Sequence, residues 1–429
     1  MFGFANFLLL ALFAAAVFDL IFALARGGGL RGALHGLWNT PHLLLGQQLA
    51  EWRLQLGRIL FAAGLAAYEI SVVFCNSMAR QNWAWVQGVM SPVLEWLAFL
   101  CFGAKILFGT RYTWRELLAG GALYFIARWV YFNSQNIWWI GIVVAVLAAK
   151  DVPLRRPLQV YFASGCAAMA VVLALHFAGI VAPDLTSERM GALRGTYGYG
   201  HPNTFGGLVF GLVLAYALLR AQKVRWVDCL LVFAVGVFLL VGPASRSAAL
   251  CTLALAVGLV FCRLRAGHSV PRWWPGTCAG MVGLTAAVSY LLPLLVIKVG
   301  PWNNDIGPAW LAKLDSLLTC RISLTWMAYR LLDVKIAGQV FNWPTVDNSF
   351  AFALFQFGPV VAALLGILFA AALWGHAKQG RRVEVCCLFA MLAYAYMEVQ
   401  PFHLTTNPTA LLLCGAVFAQ TSARWQKIE

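Results

Sequence analysis

Charged residues are scarce in this sequence. Of 429 residues, only 11% are Asp, Glu, Lys or Arg, whereas 62% are hydrophobic. A soluble domain carries about 25% charged residues, so this composition excludes an ordinary water-soluble protein. Apolar runs of about 20 residues recur along the chain, and that length crosses a hydrocarbon core of about 30 Å. We therefore expect a membrane protein that crosses the bilayer many times.

The apolar runs also lack the alternation of apolar and polar residues that transmembrane β-strands show. Because backbone amides inside a bilayer must be hydrogen-bonded internally, helices follow. We predict an all-α, polytopic transmembrane helix bundle of 12 or 13 spans, one domain over residues 1–429, with an interfacial helix as an alternative within residues 27–55. The expected spans are 3–25, 56–78, 89–109, 116–133, 136–149, 158–182, 204–220, 226–242, 247–262, 275–297, 348–374, 384–400 and 407–422.

Three further signals are missing. The first apolar run has no basic segment before it and no small-residue cleavage site after it, so a retained helix is expected and not a signal peptide. None of the eleven cysteines has the CxxC or Cys/His spacing of a metal site. The spans show no internal repeat, which argues against the inverted repeats of many transporters. We expect no metal, no cofactor and no disulfide framework.

The net charge of +15 is distributed in a way that indicates topology. Basic residues cluster in alternate connections, which the positive-inside rule assigns to the cytoplasm. No nucleic-acid partner is therefore expected. The cluster accounts for 21 of the 31 Lys and Arg residues: Arg26, Arg31, Arg53, Arg58, Lys105, Arg111, Arg115, Lys150, Arg155, Arg156, Arg220, Lys223, Arg225, Arg263, Arg265, Arg272, Lys378, Arg381, Arg382, Arg424 and Lys427.

Ten basic residues remain on the opposite side, against the topological preference, and seven of them are arginines. Arginine presents a planar fork that matches phosphate oxygens. These arginines are therefore candidates for binding an anionic ligand, although each could instead snorkel to headgroups or cap a helix. Besides Arg80, the seven comprise the six that we take as site candidates: Arg128, Arg189, Arg194, Arg246, Arg321 and Arg330.

Two outer loops stand out by length, residues 183–203 and residues 298–346. The first contains the polar, glycine-rich stretch RMGALRGTYGYGHPNTFGG at 189–207. The second contains WLAKLDSLLTCRISLTWMAYRLLD, which predicts an amphipathic helix. Arg321 and Arg330 are nine residues apart, so a straight helix places them on opposite faces, and we favour Arg321 for the central cavity.

Three predicted helices re-enter the membrane from the outer side with a similar start: HPNT at 201–204, VDNS at 346–349 and TNPT at 406–409. Asn, Asp and Thr are preferred N-caps, so capping alone explains these residues. Helix N-termini also bind anions through free amides and the helix dipole. Both interpretations stay open at this stage.

Two sets of residues carry a family resemblance. Arg194 followed by GYGHPNTFG at 198–206 resembles the O-antigen and capsular polysaccharide polymerases of the Wzy type, and the versions in exopolysaccharide clusters most of all. Arg321, Gly338, DNSF at 347–350 and FGP at 357–359 are similar to the later part of that family. The resemblance covers roughly residues 160–375 and implies a GT-C-like helical architecture.

The resemblance implies a glycosyltransferase in the bacterial plasma membrane, with the active site facing the periplasm or the cell exterior. Its donor would be an undecaprenyl-pyrophosphate-linked oligosaccharide, its acceptor a second such unit, and its partners a flippase and a chain-length regulator. Arg194 and Arg321 would stabilise the leaving diphosphate. The base candidates are His201, Asp347, Glu398 and His403. The remaining substrate-binding candidates are Tyr199, Asn203 and Asn348, together with Arg128, Arg189, Arg246 and Arg330.

Two alternatives remain open. An O-antigen ligase shares this architecture and transfers the glycan to another acceptor. A transporter or lipid-linked oligosaccharide flippase would instead carry charged residues near the bilayer midplane. Asp19, Glu69 and Glu95 lie in apolar runs, but they are scattered over the first three spans.

Overall fold

A computed structural model describes residues 2–26, 29–181, 187–189, 192–296 and 307–418, and nearly all of its regular structure is helical. Two short antiparallel strand pairs are present in this part of the chain. The first half comprises α1 (Phe2–Ala25), α2 (Gly29–Asn39), β1 (His42–Leu43), α3 (Ala50–Cys75), α4 (Ala79–Asn82), a π-helical turn (Val86–Met90), α5 (Ser91–Phe108), β2 (Arg111–Tyr112), α6 (Trp114–Ser134), α7 (Ile137–Ala148) and α8 (Arg155–Phe177).

The second half begins with a hairpin and ends with short 3₁₀ and α turns. It comprises β3 (Ser187–Arg189), β4 (Ala192–Arg194), α9 (Pro202–Leu219), α10 (Trp226–Val241), α11 (Arg246–Leu264), α12 (Trp274–Leu291), a 3₁₀ turn (Leu292–Leu295), α13 (Ala309–Leu317), α14 (Arg321–Leu331), α15 (Ser349–Phe352), a π-helical turn (Ala353–Phe357), α16 (Pro359–Lys378), α17 (Arg382–Met397), 3₁₀ turns (Gln400–Phe402 and Pro408–Leu413) and α18 (Cys414–Val417).

The predicted all-α helical bundle is confirmed, while the predicted number of spans is only partly reproduced. Among the described residues, eight helices are long and apolar enough to cross a membrane, fewer than the 12 or 13 expected. Three more apolar helices are shorter: α7, α10 and the segment Pro408–Val417. Each of the thirteen predicted segments nevertheless contains helix. Residues 29–39 form the short helix α2 in the stretch where an interfacial helix was the alternative.

Helix ends collect at two opposite ends of the bundle. We call the end that carries the basic connections the basic end. There the connection after α9, the end of α11 and the start of α17 line a shared cavity. The other end is called the polar end. It holds the start of α9, the start of α11 and the end of α17, which hydrogen bonds join there. This arrangement is the one that the alternating basic connections predict.

The predicted amphipathic helix of the second outer loop is in fact two helices. The chain turns at Thr319 and Cys320, which both have positive φ, between α13 and α14. Asp315 is fully buried and accepts hydrogen bonds from the backbone of Ile322 and Ser323 at 2.7 and 3.2 Å, so its carboxylate caps α14. The expectation of one straight helix was therefore wrong. Residues 298–306 of this loop lie outside the described residues.

The predicted span 348–374 is interrupted, also against expectation. α15 passes into a π-helical turn, and the chain then bends at Gly358, whose φ is 87°. A Cβ at Gly358 would lie 2.0 Å from the carbonyl oxygen of Ile336, so only glycine fits. Pro359 then starts α16, as proline commonly does at a first helical turn. The bend seats the DNS segment beside the end of α17.

Candidate functional site

Five separate segments bring polar side chains together at the polar end. They are the end of β4, the starts of α9, α11 and α14, and the residue that follows α17. The five residues are Arg194, Asn203, Ser247, Arg321 and Glu398, which we call the polar-end cluster. No two of them are neighbours in sequence, so only the packing of the helices makes this a site.

Glu398 lies at the centre of the cluster. Its side chain is only 5% exposed, and one carboxylate oxygen, Oε1, accepts three hydrogen bonds. The donors are Arg321 Nη2 at 2.6 Å, Ser247 Oγ at 2.8 Å and Asn203 Nδ2 at 3.0 Å. A carboxylate this deeply buried is stable as an anion only when it is paired and hydrogen-bonded in this way.

All three nitrogen atoms of the Arg321 guanidinium donate hydrogen bonds. Nε donates to the carbonyl of Met397, Nη1 donates to the carbonyl of Leu318 at 2.9 Å, and Nη2 pairs with Glu398. Asp347 lies 3.9 Å from the same Nη2 and is partly exposed. The planar fork is therefore preorganised before any substrate binds, which is the property that a rigid anion site requires.

Arg194 is connected to Glu398 through Asn203. Its Nη2 donates to Asn203 Oδ1 at 2.9 Å and to the carbonyl of Ala244 at 3.1 Å. Because the amide oxygen of Asn203 accepts from Arg194, its NH₂ points at Glu398. The arginine is only 7% exposed, so the link is shielded from water. Both arginines proposed for the leaving group thus belong to one hydrogen-bonded chain.

The electrostatic balance of the cluster depends on the protonation of Glu398. Burial raises the pKa of this carboxyl to about 7, although neighbouring Arg321 lowers it. Two guanidinium groups face two carboxylates while Glu398 is ionised. Protonation of Glu398 would leave one positive charge in excess at the site. A carboxyl with a pKa near 7 can both accept and release a proton near neutral pH.

The three predicted helix starts all act as caps. His201 Nδ1 accepts the N–H of Asn203 at 3.1 Å, and Asn407 Oδ1 accepts the N–H of Ala410 at 3.1 Å. Asn348 Oδ1 accepts the N–H groups of Phe350 and Ala351. The amide NH₂ of Asn348 donates to the hydroxyl of Ser289 and to a backbone carbonyl, which uses all of its hydrogen-bonding groups. The structural role is therefore established for these residues, and His201 is exposed at the rim.

Other candidates lie apart from the centre of the cluster. Tyr199 is fully buried and packs against Phe205, so its ring belongs to the core. The ring of His403 contacts that of Trp138 with centroids 3.8 Å apart and planes tilted by 40°, and burial lowers the pKa of His403 to about 3, which makes it a poor base. Neither position supports the site role expected from the sequence.

The remaining arginine candidates have different surroundings. Arg128 contacts the side chain of Asn6 on α1 and lies over the ring of Phe132. Arg330 is exposed and lies over the ring of Trp326, on the opposite face of α14 from Arg321 as predicted. Arg246 is exposed at the first position of α11. For Arg189 the structure describes the backbone, which pairs with Ala192, and its side chain lies outside the described residues.

The sequence analysis chose Arg246, the first residue of α11, but the residue that contributes to the cluster is its neighbour Ser247. Ser247 is buried and donates to Glu398, and Ser245 Oγ lies 3.4 Å from Asn203 Oδ1. Gln400 was also missed. Its amide donates to the carbonyl of Asn203 and accepts from the hydroxyl of Tyr394. Small serines beside an arginine give no distinctive signal in a sequence.

No protein-family model, no curated protein and no solved structure matches the chain. Within the described residues, no group of three or more His, Cys, Asp and Glu side chains is arranged to hold a metal ion.

Proposed function

We propose that the protein is a glycosyltransferase of the non-cytoplasmic face of the bacterial plasma membrane. It would be a polysaccharide polymerase that joins repeat units carried on undecaprenyl pyrophosphate. The observation that carries this proposal is the buried chain Arg194–Asn203–Glu398–Arg321 at the bundle end opposite the basic connections. The resemblance of residues 198–206 and 347–350 to the Wzy-type polymerases supports it.

The arginines would stabilise the leaving group. As the anomeric C–O bond of the donor breaks, negative charge develops on the diphosphate oxygens. Arg194 and Arg321 are buried and fixed by hydrogen bonds, so little reorganisation is needed when that charge develops. Preorganised donors in a site shielded from water are worth about 2.7–4 kcal/mol each in comparable enzymes.

Glu398 would act as the general base. The sugar hydroxyl of the acceptor attacks the anomeric carbon, its proton passes to Glu398, and undecaprenyl pyrophosphate leaves with the bonding electrons. The transferred proton cancels the carboxylate charge that pairs with Arg321 at 2.6 Å. The positive charge of Arg321 is then no longer neutralised by Glu398. It can stabilise the negative charge that develops on the diphosphate in the same step. Glu398 lies 2.6 Å from Arg321 Nη2, closer than the base candidate Asp347 at 3.9 Å.

An apolar cavity beside the cluster supports a lipid-linked substrate. Ser349 lines this cavity and donates through its hydroxyl to the backbone carbonyl of Glu398 at 2.5 Å. Most of the other lining side chains are aromatic or aliphatic, including Trp139, Phe350 and Phe402. A polar reaction site next to an apolar cavity suits a substrate with a diphosphate head and a polyprenyl tail.

The test is an assay of the purified protein in proteoliposomes with a synthetic undecaprenyl-pyrophosphate-linked repeat unit. The proposal predicts a ladder of elongated lipid-linked glycans. Transfer to a different lipid acceptor without a ladder would instead identify a ligase. No transfer with either acceptor would contradict the glycosyltransferase assignment.

The burial of Glu69 favours a second candidate function, that of a transporter. This carboxyl lies in α3 and is only 2% exposed, and a Cβ placed at Gly165 of α8 would lie 2.9 Å from its Oε1. Buried carboxyl groups within spans mark ion pathways in many transporters. Movement of a fluorescent lipid-linked oligosaccharide across proteoliposomes, abolished by Glu69→Gln and retained by Glu398→Gln, would favour this second function.

A further inference from the structure

Two adjoining cavities lie at the basic end, far along the helices from the polar-end cluster. Their volumes are about 260 and 450 Å³. Residues 221–223, Arg381 and Glu384 line both of them, so the two cavities adjoin between the connection after α9 and the start of α17 and are treated together as one space. We call this space the basic cavity.

The lining of the basic cavity carries a large excess of positive charge. Among the described residues that line it, Glu384 is the only carboxylate. The cationic lining residues are Arg155, Arg220, Lys223, Arg263, Arg381 and Arg382.

Only some of these cations are paired. Arg220 forms an ion pair with Asp228 at 3.1 Å, and Arg382 donates to the backbone carbonyls of Arg265 and His268. In the part of the chain that the structure describes, the other four form no ion pair. The positive-inside rule accounts for the side on which they lie, but not for their convergence on one cavity.

An apolar slot continues from this cavity along α16. It is lined by small side chains, among them Ala371, Ala372 and Gly375, and it shares His376 and Arg381 with the basic cavity. The most apolar window of α16 is only 22% buried, so this helix faces the surroundings of the bundle. Arg381 therefore lies where a cationic space and an apolar slot meet.

We propose that the basic cavity binds the phosphate of an anionic phospholipid headgroup, with an acyl chain in the slot along α16. Basic pockets between transmembrane helices on the cytoplasmic side are suited to such headgroups. The slot distinguishes a lipid from free phosphate, which has no apolar part. The site is independent of the proposed function. A bound lipid would join α9, α11 and α17, whose opposite ends carry Asn203, Ser247 and Glu398.

The experiment uses the purified, delipidated full-length protein and native mass spectrometry with phosphatidylglycerol or cardiolipin. We expect the double variant Arg381→Gln/Lys223→Gln to weaken binding of these lipids by about fivefold for each cation removed, or about 25-fold. Phosphatidylcholine should bind more weakly to the wild type and should not respond to the substitutions. Size-exclusion profiles and melting temperatures verify that the variant is folded.

The matched control is Arg272→Gln/Lys378→Gln, which removes the same charge from the same end without touching the lining. We expect it to keep wild-type lipid binding, and an equal loss in both double variants would overturn the proposal. A second variant, Gly375→Leu, fills the slot, since a Cβ there has open space. It should weaken binding of the phospholipid but not of glycerol phosphate. Binding of inorganic phosphate as tight as that of the lipid would also overturn the assignment.

Discussion

Buried cations occur at both ends of the bundle, but they are used differently. At the basic end, Lys105 Nζ donates to Thr110 Oγ1 at 2.6 Å, and Lys150 Nζ pairs with Glu116 at 3.3 Å and with Asp151 at 3.6 Å. At the polar end, Arg321 pairs directly with the carboxylate of Glu398, and Arg194 reaches the same carboxylate through the amide of Asn203.

The cations at the two ends differ in the groups that they contact. Lys150 Nζ is bonded to carboxylate and carbonyl oxygens, and Lys105 Nζ is bonded to a hydroxyl and a carbonyl oxygen. These contacts fix the connection between α5, α6 and α7. Arg321 pairs with Glu398, an acid whose pKa burial raises to about 7, so one proton removes the negative charge that this arginine faces. Substitutions at the lysines should therefore affect stability, whereas substitutions at the polar end should affect reaction.

The largest effect is expected from Glu398→Gln. The amide preserves the shape of the side chain but cannot accept the acceptor's proton, so ladder formation should fall by about 10²–10⁴-fold. The measurement is the initial rate of glycan elongation in proteoliposomes. His201→Asn is the control, because asparagine retains the N-cap of α9. A larger loss with His201→Asn than with Glu398→Gln would move the base to the histidine.

Arg321→Ala should have the next largest effect. Removal of one preorganised donor to the leaving diphosphate should reduce the elongation rate by about 10²–10³-fold. Arg330→Ala is the matched control on the same helix, and it removes only an exposed cation over Trp326. Its activity should stay close to that of the wild type. Equal rates for the two variants would contradict the assignment of the polar-end cluster, provided that both reach the membrane in equal amounts.

Lys105→Met tests the opposite end. The substitution keeps an unbranched side chain but removes the donor to the hydroxyl of Thr110 and the carbonyl of Lys150. We expect a loss of about 1–3 kcal/mol in the free energy of unfolding. The measurement is thermal unfolding in detergent, with the exposed Lys378→Met as the control. Elongation per folded molecule should not change, and a rate loss at full stability would mean that the two ends are coupled.

The pH dependence should show the smallest effect. If Glu398 is the base, as proposed, activity should rise with pH through about 7, where this carboxyl loses its proton. Because Arg321 lowers this pKa, the residual activity of Arg321→Ala should rise at a higher pH than that of the wild type. A pH–rate profile measures both. An unshifted pH–rate profile in Arg321→Ala would contradict an effect of Arg321 on the pKa of the base.

The same carboxyl makes a prediction for stability. Its pKa in the folded protein lies above the ordinary value of 4.5, so its contribution favours the folded state at low pH and is lost as the pH rises through about 7. The melting temperature of the wild type should therefore decline over this range more than that of Glu398→Gln. Parallel pH–stability curves for the two proteins would contradict the raised pKa.

Much of the fold was predictable because it follows from local composition. Apolar runs without alternation predict helices, and every expected span does contain helix. The two helices α13 and α14 were predicted as one, because the cap supplied by buried Asp315 is a contact that sequence periodicity does not reveal. The interruption at Gly358 was missed for a related reason, since the close approach of Ile336 comes from a distant part of the chain.

The candidate site was predicted in part. These arginines were found because they lie in the connections opposite the basic ones, where positive charge is unexpected, and Arg194 and Arg321 do lie in one hydrogen-bonded chain. Ser247 and Gln400 were missed because small polar residues carry no such signal. Tyr199 was expected to bind substrate, yet its ring is buried in the core.

The sequence by itself determined the helical class, the alternation of basic connections and the opposite faces of the two arginines of α14, because hydropathy, charge and helical periodicity are local properties. Only the tertiary structure decided that Glu398 joins Arg194 to Arg321 and that cations from several connections surround one cavity. Those contacts join residues up to 195 positions apart, and helix packing alone sets their distances.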